Sequence, residues 1–435
     1  MAHDTSVEAD LLRVRALYRV QRLEDAMLVL ERLDARRDLD ERQQAEAALL
    51  AFIRHARNLD LGTFDREQLK AKSMVERLGV VDLESEFWAT DATIAYASNN
   101  LDRCEKSAWS AIHCDLTFGE TPTSSPLSVV PISNSKARAL QVLSAIRSSQ
   151  GRFHEQLRYL REAVVTLKRA RHPDLYMLAF CYMNLSFIAR DFGVLDDIVE
   201  LELVDTALWP PSLHLPALEI ERSCSWLYAL AGDAARAVGN FERLGRERAL
   251  TSSRDGFWLA TIADAMIVSD ASSVPLDEAT DQSEAVAVAE AFDWHAHPEQ
   301  RFALTLFARA LAPRDPDRAA RLIAVDERLG ETGHSLANSD RRSVADRAFR
   351  IGIVHASNGR RAKAYESIVQ AYAIWFEYGQ RWQAVDAALE IVETGYDDGS
   401  FARYAKRESK AYPNSWLARR ADALELTSPS SSSST

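Results

Sequence analysis

The sequence predicts an all-α protein, a right-handed superhelical solenoid of about ten helical hairpins, and three observations carry that prediction. The 435-residue chain is too long for one compact core, since single cores stop growing at about 250 to 300 residues. It is rich in Ala, Leu, Arg and Glu, with Gly and Pro gathered between apolar-periodic segments, the profile of helices separated by turns. A helix-turn-helix signature also recurs about every 40 residues, and stacked copies of such a unit bury one continuous core.

The clearest copy runs from Leu218 to Arg248. Ile220, Cys224, Leu227 and Tyr228 mark one helix, and Ala237, Phe241 and Leu244 mark the apolar stripe of a second. Between them Gly232 suits a left-handed helix end, and Asp233 suits the N-cap of the next helix.

The same turn appears at Gln21, Asn99, Gly151, Gly193, Gly232 and Gly359, most of them followed at +5, +9 and +12 by small or apolar residues. Examples are Ala26, Leu30 and Leu33; Cys104, Ala108 and Ala111; Gln156, Leu160 and Ala163; and Ala364, Ile368 and Ala371. Weaker turns at Asp60 to Gly62, Ser272 to Pro275, Pro313 to Asp315 and Asp397 to Gly399 complete the beat.

The beat divides the chain into hairpins over 1–117, a Pro/Ser-rich loop over 118–133, a main solenoid over 134–424 and a disordered Ser-rich tail over 425–435. Three prolines exclude helix from the loop, and the tail is too polar and repetitive to order. Trp209 to Pro216 reads as a stiff connector that bends the array, with Pro216 in the first turn of the following helix. From Asp340 to Arg420 the pattern is especially regular, through Ala348, Ile351, Trp375, Trp382, Ala388 and Tyr404.

The segment Leu140, Leu143, Ser144, Gly151-Arg-Phe153, Leu160 and Ala163 resembles a tetratricopeptide repeat. So do Tyr182, Leu185, Ser186 and Ala189 before Gly193; Ser225 and Tyr228 before Gly232, with Ala237 and Phe241 after it; and Gly352 before Gly359, with Ala364 and Ala371 after it. The resemblance implies small residues where two helices cross and large ones between neighbouring hairpins. The period is nearer 40 than the family's 34, and the usual closing proline is mostly missing. The degenerate pattern, with Asp315 to Ile323 and Ala411 to Arg419, is similar to the repeat arm of bacterial LuxR-type regulators, without a helix-turn-helix module after Glu425.

Composition excludes several function classes. A net charge of −12 and no basic face argue against nucleic-acid binding, and the many Arg and Glu residues suit solvated helix surfaces. Cys104, Cys114, Cys181 and Cys224 have no CxxC spacing and read as reduced core residues. Thr5 with Glu8 suits a capping box rather than a secretory signal, and no run of 18 apolar residues exists, so a cytoplasmic protein away from membranes is expected.

A search for chemistry returns background. His295 and His297 beside Asp293 form the one close histidine pair, but metal needs a third ligand and a rigid frame, and a connector at a helix entry supplies neither. His113, His154, His172 and His355 read as packed or surface residues. Asp196-Asp197 and Asp397-Asp398 suit helix starts, where capping and the helix dipole favour acids. Trp88, Trp226, Trp258, Trp294, Trp375, Trp382 and Trp416 fall largely on apolar stripes and read as packing residues.

No catalytic, cofactor or metal residue is therefore assigned, and no cofactor is expected. The expected function is non-catalytic: an adaptor whose concave groove binds a peptide or protein, with a basic partner favoured, or a small effector. The alternatives are an effector-sensing regulator arm and, remotely, an enzyme with a site between hairpins. Asn184, Arg222, Asp264 and Arg347 are the kind of residue a groove would present.

Overall fold

The computed structural model describes residues 4–19, 22–58, 64–118, 134–170, 174–202, 204, 206, 209–251, 256–277, 282–297, 300–331 and 341–424. The expected Thr5 cap, the turns at Gln21 and Asp60 to Gly62, almost all of the 118–133 loop and the 425–435 tail lie outside what is described of backbone or side chain.

Among the described residues every regular element is helical, with α-helices numbered here α1 to α21. Contacts divide the chain into two compact units, the first comprising Met1–Leu185 with Trp209–Leu213 and the second Ser186–Leu208 with His214–Thr435. The division falls inside α9 and again within the Trp209 to Pro216 connector, whose Pro211–Leu213 form a 3-10 turn.

The first unit holds α1 (Asp4–Arg19), α2 (Leu23–Asp34), α3 (Glu41–Asn58), α4 (Phe64–Leu78), α5 (Val81–Ala97), α6 (Leu101–Phe118), α7 (Ser135–Ser149), α8 (Phe153–Arg169) and most of α9 (Leu175–Phe192). The second holds α10 (Asp197–Glu202), α11 (His214–Ala231), α12 (Ala234–Thr251), α13 (Gly256–Ser272), α14 (Gln282–Ala291), α15 (Arg301–Leu311) and α16 (Pro316–Glu331). It continues with α17 (Arg341–Ser357), α18 (Arg361–Glu377), α19 (Arg381–Thr394), α20 (Ser400–Glu408) and α21 (Trp416–Ala423). Taken in order these make ten hairpins followed by α21, and each described turn of the 40-residue beat joins the two helices of one hairpin.

Consecutive hairpins stack through their first helices: α1 on α3, α3 on α5 and α5 on α7 in one unit, and α13 on α15, α15 on α17 and α17 on α19 in the other. That nearest-neighbour packing is what a repeat array requires.

The residues at +5, +9 and +12 from Asn99, Gly151, Gly232 and Gly359 are buried: Cys104, Ala108 and Ala111, Gln156, Leu160 and Ala163, Ala237, Phe241 and Leu244, and Ala364, Ile368 and Ala371; after Gly193 the offset fails, with Ile198 half-buried and Glu202 exposed. Gly352 sits where α17 crosses α18, and a Cβ there would come 2.5 Å from Ile368 Cγ1. The small-residue crossing implied by the repeat resemblance is therefore present.

Asn99, Gly151, Gly193, Gly232 and Gly359 all take positive φ, as does Ser273 within the weak Ser272 to Pro275 turn. Gly79 and Gly379 do the same between hairpins, at the ends of α4 and α18, where the 40-residue beat did not look. Side-chain caps open the helices as expected: Asp233 Oδ1 accepts from Arg236 N at 3.2 Å, and Asp397 Oδ1 and Oδ2 accept from Phe401 N and Ala402 N, each at 3.1 Å. The Ser400 hydroxyl, and after it the Ser400 amide at 2.9 Å, holds the Asp398 carboxyl below its ordinary value.

Polar ties cross the helices of the first unit. Arg15 of α1 lies buried between Glu46 of α3 at 2.6 Å and Glu86 of α5 at 3.0 Å, so one guanidinium joins three successive first helices. Burial works against its charge, yet the two carboxylates outweigh burial and hold it up.

Among the described residues no helix is long and apolar enough to cross a membrane. All four cysteines are outside disulfides, and burial pushes the Cys104, Cys181 and Cys224 thiols up to about 12. Because the thiolate is the nucleophile, these three should resist a thiol reagent such as Ellman's at pH 8 in the native protein and react after denaturation. Rapid native labelling of any of them, located by peptide mapping, would contradict the packing.

Two glycines of similar φ separate backbone strain from crowding. Gly359, at φ +71, has nothing within 4 Å of a would-be Cβ, whereas at Gly232, at φ +97, that atom would meet Asn414 O at 2.7 Å. Gly359→Ala should cost about 1 to 2 kcal/mol for the left-handed conformation alone, and Gly232→Ala about 1 to 3 kcal/mol more, read from denaturant midpoints.

Candidate functional site

In the second unit the first helices carry a polar column at the repeat spacing. Arg222 on α11, Asp264 on α13, Thr305 on α15, Asp346 on α17 and Asp386 on α19 follow one another at intervals of 40 to 42 residues. One helical turn further on stand Arg309, Arg350 and Glu390, placed on the same face by the i, i+4 relation.

These side chains meet across helices. Arg222 Nε donates to Asp264 Oδ2 at 2.6 Å. Arg350 Nη1 donates to Phe302 O at 3.1 Å and Thr305 Oγ1 at 3.3 Å, while its Nη2 lies 3.6 Å from Asp346 Oδ2. Arg309 reaches from α15 beyond α17 to Asp386 Oδ2 on α19 at 2.9 Å, and Arg420 of α21 donates to the other oxygen at 3.2 Å. From the end of α9, Asp191 accepts from Arg190 at 2.8 Å and lies 4.0 Å from Arg342. A chain of first helices whose alternate members touch is curved, with the polar column on its inner side.

Trp226 of α11 stacks on Trp382 of α19 with centroids 5.4 Å apart, and Trp416 of α21 lies 6.1 Å from Trp226. Trp382 Nε1 donates to Arg190 O at 2.7 Å. Tyr412 packs against Gly193, where a Cβ would come 2.5 Å from its hydroxyl. The start and end of this unit are thus in contact.

Arg222, Asp264 and Asp386 are buried. The Asp346 side chain keeps 43% of its surface exposed, yet burial still dominates and pushes its carboxyl up, with Asp191 adding to the effect and Arg350 opposing it. Burial likewise drives the Arg350 guanidinium down despite Asp346, with the like charges of Arg309 and Arg222 contributing.

The structure joins two of the four groove candidates, Arg222 and Asp264. It turns Arg347 elsewhere: its Nε donates at 2.7 Å to Asp326 of α16, which also takes Arg301 at 2.9 Å, so Arg347 fastens adjacent hairpins. Asn184 is half-buried on α9 in the first unit. Arg309, Arg350, Asp346 and Asp386 escaped the sequence reading. Projecting the turn beat onto polar first-helix residues was the signal that would have found them.

His295, His297 and Asp293 lie exposed after α14, where Asp293 Oδ1 accepts the amides of His295 at 3.1 Å and Ala296 at 3.2 Å and so holds a turn. Among the described residues no three His, Cys, Asp or Glu side chains are grouped to hold a metal ion. His355 is half-buried, and burial together with Arg360 lowers its basicity. Asp197 is buried at the start of α10. Six of the seven tryptophans read as packing residues are buried, and Trp88 is partly buried against the first unit's core.

Removing one member of a buried ion pair strands the other. Arg222→Met should therefore cost about 3 to 5 kcal/mol, and Arg222→Met with Asp264→Leu should recover the part due to Asp264, while Glu219, 3.4 Å from Arg222, keeps only Arg248 at 3.7 Å. Chemical denaturation of the two variants, compared as a cycle, measures the recovery. An equal or greater loss in the double variant would show that the pair does not act as a unit.

No family model matches the chain, and no curated protein matches it. Solved structures do. The apo form of RapI aligns over 89% of this chain and 98% of its own, with a TM-score of 0.57 and 11% identity. The Rap conjugation gene regulator of plasmid pLS20, in complex with the Phr* peptide, aligns over 97% and 99% with a TM-score of 0.41 and 12% identity. Aspartyl phosphate phosphatase F from Bacillus subtilis aligns over 97% and 95% with a TM-score of 0.35 and 11% identity. At such identity the likeness to RapI is one of fold, and the other two are too different in shape to add to it. The tetratricopeptide-like, all-helical repeat architecture stands, and the narrower likeness to LuxR-type arms finds no support among these neighbours.

Proposed function

We propose that this chain is a non-catalytic binding protein that takes an extended segment of a peptide or protein partner into the concave interior of its second unit. The observation that carries this reading is the polar column at 222, 264, 305, 346 and 386, one residue per hairpin on adjoining first helices. Packed helices lie about 8 to 10 Å apart, and an extended chain advances about 3.3 Å per residue. A strand laid across such a column passes one first helix about every three residues, with Asp346 open to it and the buried Arg222, Asp264, Thr305 and Asp386 holding the helices in place. Binding of this kind draws affinity from shape and from polar groups that are already in place.

The chain's net charge of −12 favours a basic partner and disfavours nucleic acid. The pLS20 regulator is described with a peptide bound, but the proposal for this chain rests on its own residues.

Panning the full chain against a library of unconstrained seven-residue peptides tests the reading. Binders should compete with one another, and hydrogen exchange in their presence should slow on α11, α13, α15 and α17. Protection confined to the second helices of the hairpins, or no binder in repeated selections, would overturn it. A small effector that protects the same four helices, with no peptide doing so, would replace the peptide in the proposal.

A further inference from the structure

Four of the five carboxylates on this face are satisfied by the protein, Glu390 by Arg420 at 2.8 Å. Asp264 accepts from Arg222 at 2.6 Å, Asp386 from Arg309 at 2.9 Å and Arg420 at 3.2 Å, and Asp191 from Arg190 at 2.8 Å. Asp346 differs. Among the described residues it accepts no hydrogen bond, and the nearest cationic nitrogen, Arg350 Nη2, stands 3.6 Å away.

The reason is local. Arg350 sits one turn after Asp346 on α17, but its Nη1 is committed to Phe302 O and Thr305 Oγ1 on α15, which draws the guanidinium away from its own helix neighbour. Asp346 also has the most open side chain of the column, 43% exposed against 14% for Arg350 and 16% for Arg309. The wettest charge on this face is therefore the one that no protein donor satisfies.

A carboxylate has acceptor sites for several donors, and at 43% exposure those of Asp346 are open to a donor from outside the protein. The remaining groups around it do not supply the missing donor. Arg190 is turned to Asp191, and Arg342 is also shared with Asp191, at 4.0 Å. Burial raises the Asp346 carboxyl, with Asp191 adding to it against Arg350, Arg190 and Arg342, and a cation that hydrogen-bonds it gains a partner that no protein donor occupies.

We infer that Asp346 is the specificity-determining anchor of the interior and receives a cationic donor of the bound peptide, an ammonium or a guanidinium. The inference rests on the peptide reading above and adds to it the ligand's chemistry and its point of attachment. Thr305 and Arg350, bonded to each other beside it, hold the neighbouring part of the wall in place and leave the Asp346 oxygens facing the ligand.

The experiment uses the peptides that the wild-type chain selects, measured against the wild type and against Asp346→Asn, which keeps the side chain's size and removes its charge. Each peptide is made in three forms: unmodified, with its basic residues replaced by norleucine, and with its amino terminus acetylated. The expected result is a loss of about tenfold or more on Asp346→Asn, the scale of a charge-assisted hydrogen bond. The form that removes the anchored cation should lose the same factor on the wild type and nothing further on Asp346→Asn, as coupled groups do in a double-mutant cycle.

Loss on norleucine replacement assigns the cation to a side chain, and loss on acetylation assigns it to the amino terminus. Equal binding of the unmodified peptides to both proteins overturns the inference and leaves the peptide reading in place. Failure to select any peptide removes both. Circular-dichroism melting of Asp346→Asn, expected at or above the wild-type midpoint because a desolvated charge is removed, separates loss of binding from loss of fold.

Discussion

A charge taken out of water must find an opposite charge, and that requirement aligns the hairpins. In the second unit Arg222 with Asp264, Arg309 with Asp386 and Arg420 with Asp386 join helices that are neighbours in space and distant in sequence. Apolar stripes alone would let one hairpin slide on the next at modest cost, because hydrophobic contact has no direction. An ion pair at 2.6 to 3.2 Å in a poorly hydrated interior does not tolerate such sliding. The first unit solves the same problem with Arg15, held between Glu46 and Glu86. In both units the polar ties run along the first helices, so the surface that is most constrained is also the one the array curves around.

The apolar framework was legible in the chain because its information is local. Ala237, Phe241 and Leu244 declare a helix face by their spacing, Gly232 and Asp233 declare the turn before it, and the structure buries the first three and caps with the last. Repetition then supplied the hairpin count. The polar lining was less legible. Arg222 and Asp264 have the character of groove residues, but nothing in the immediate sequence distinguishes them from Arg347, which fastens α17 to α16 instead. Which face of a first helix turns inward depends on curvature, and curvature is a property of the stack.

The interior partners also lie beyond any local window. Arg309 and Asp386 are 77 residues apart, and the bond from Trp382 to Arg190 spans 192. No periodicity within a helix announces these pairs. They become visible only when equivalent positions are compared across copies, and the degenerate repeat obscures that comparison by varying the residue type: Arg, Asp, Thr, Asp and Asp in turn. The residues that vary at a constant position are the ones able to distinguish a ligand.

The contact of Trp226 with Trp382 and Trp416 changes how the second unit can deform. In an open array each hairpin responds only to its neighbours, so strain at one place dissipates along the stack and the ends fray independently. Here the first and last hairpins are held together, and the inner face has a set circumference. Widening it at one helix must be shared by every other or must break the indole contact. The unit is therefore closed in the manner of a hoop rather than free at its ends like a spring, so a change of girth at one hairpin is passed to all the others.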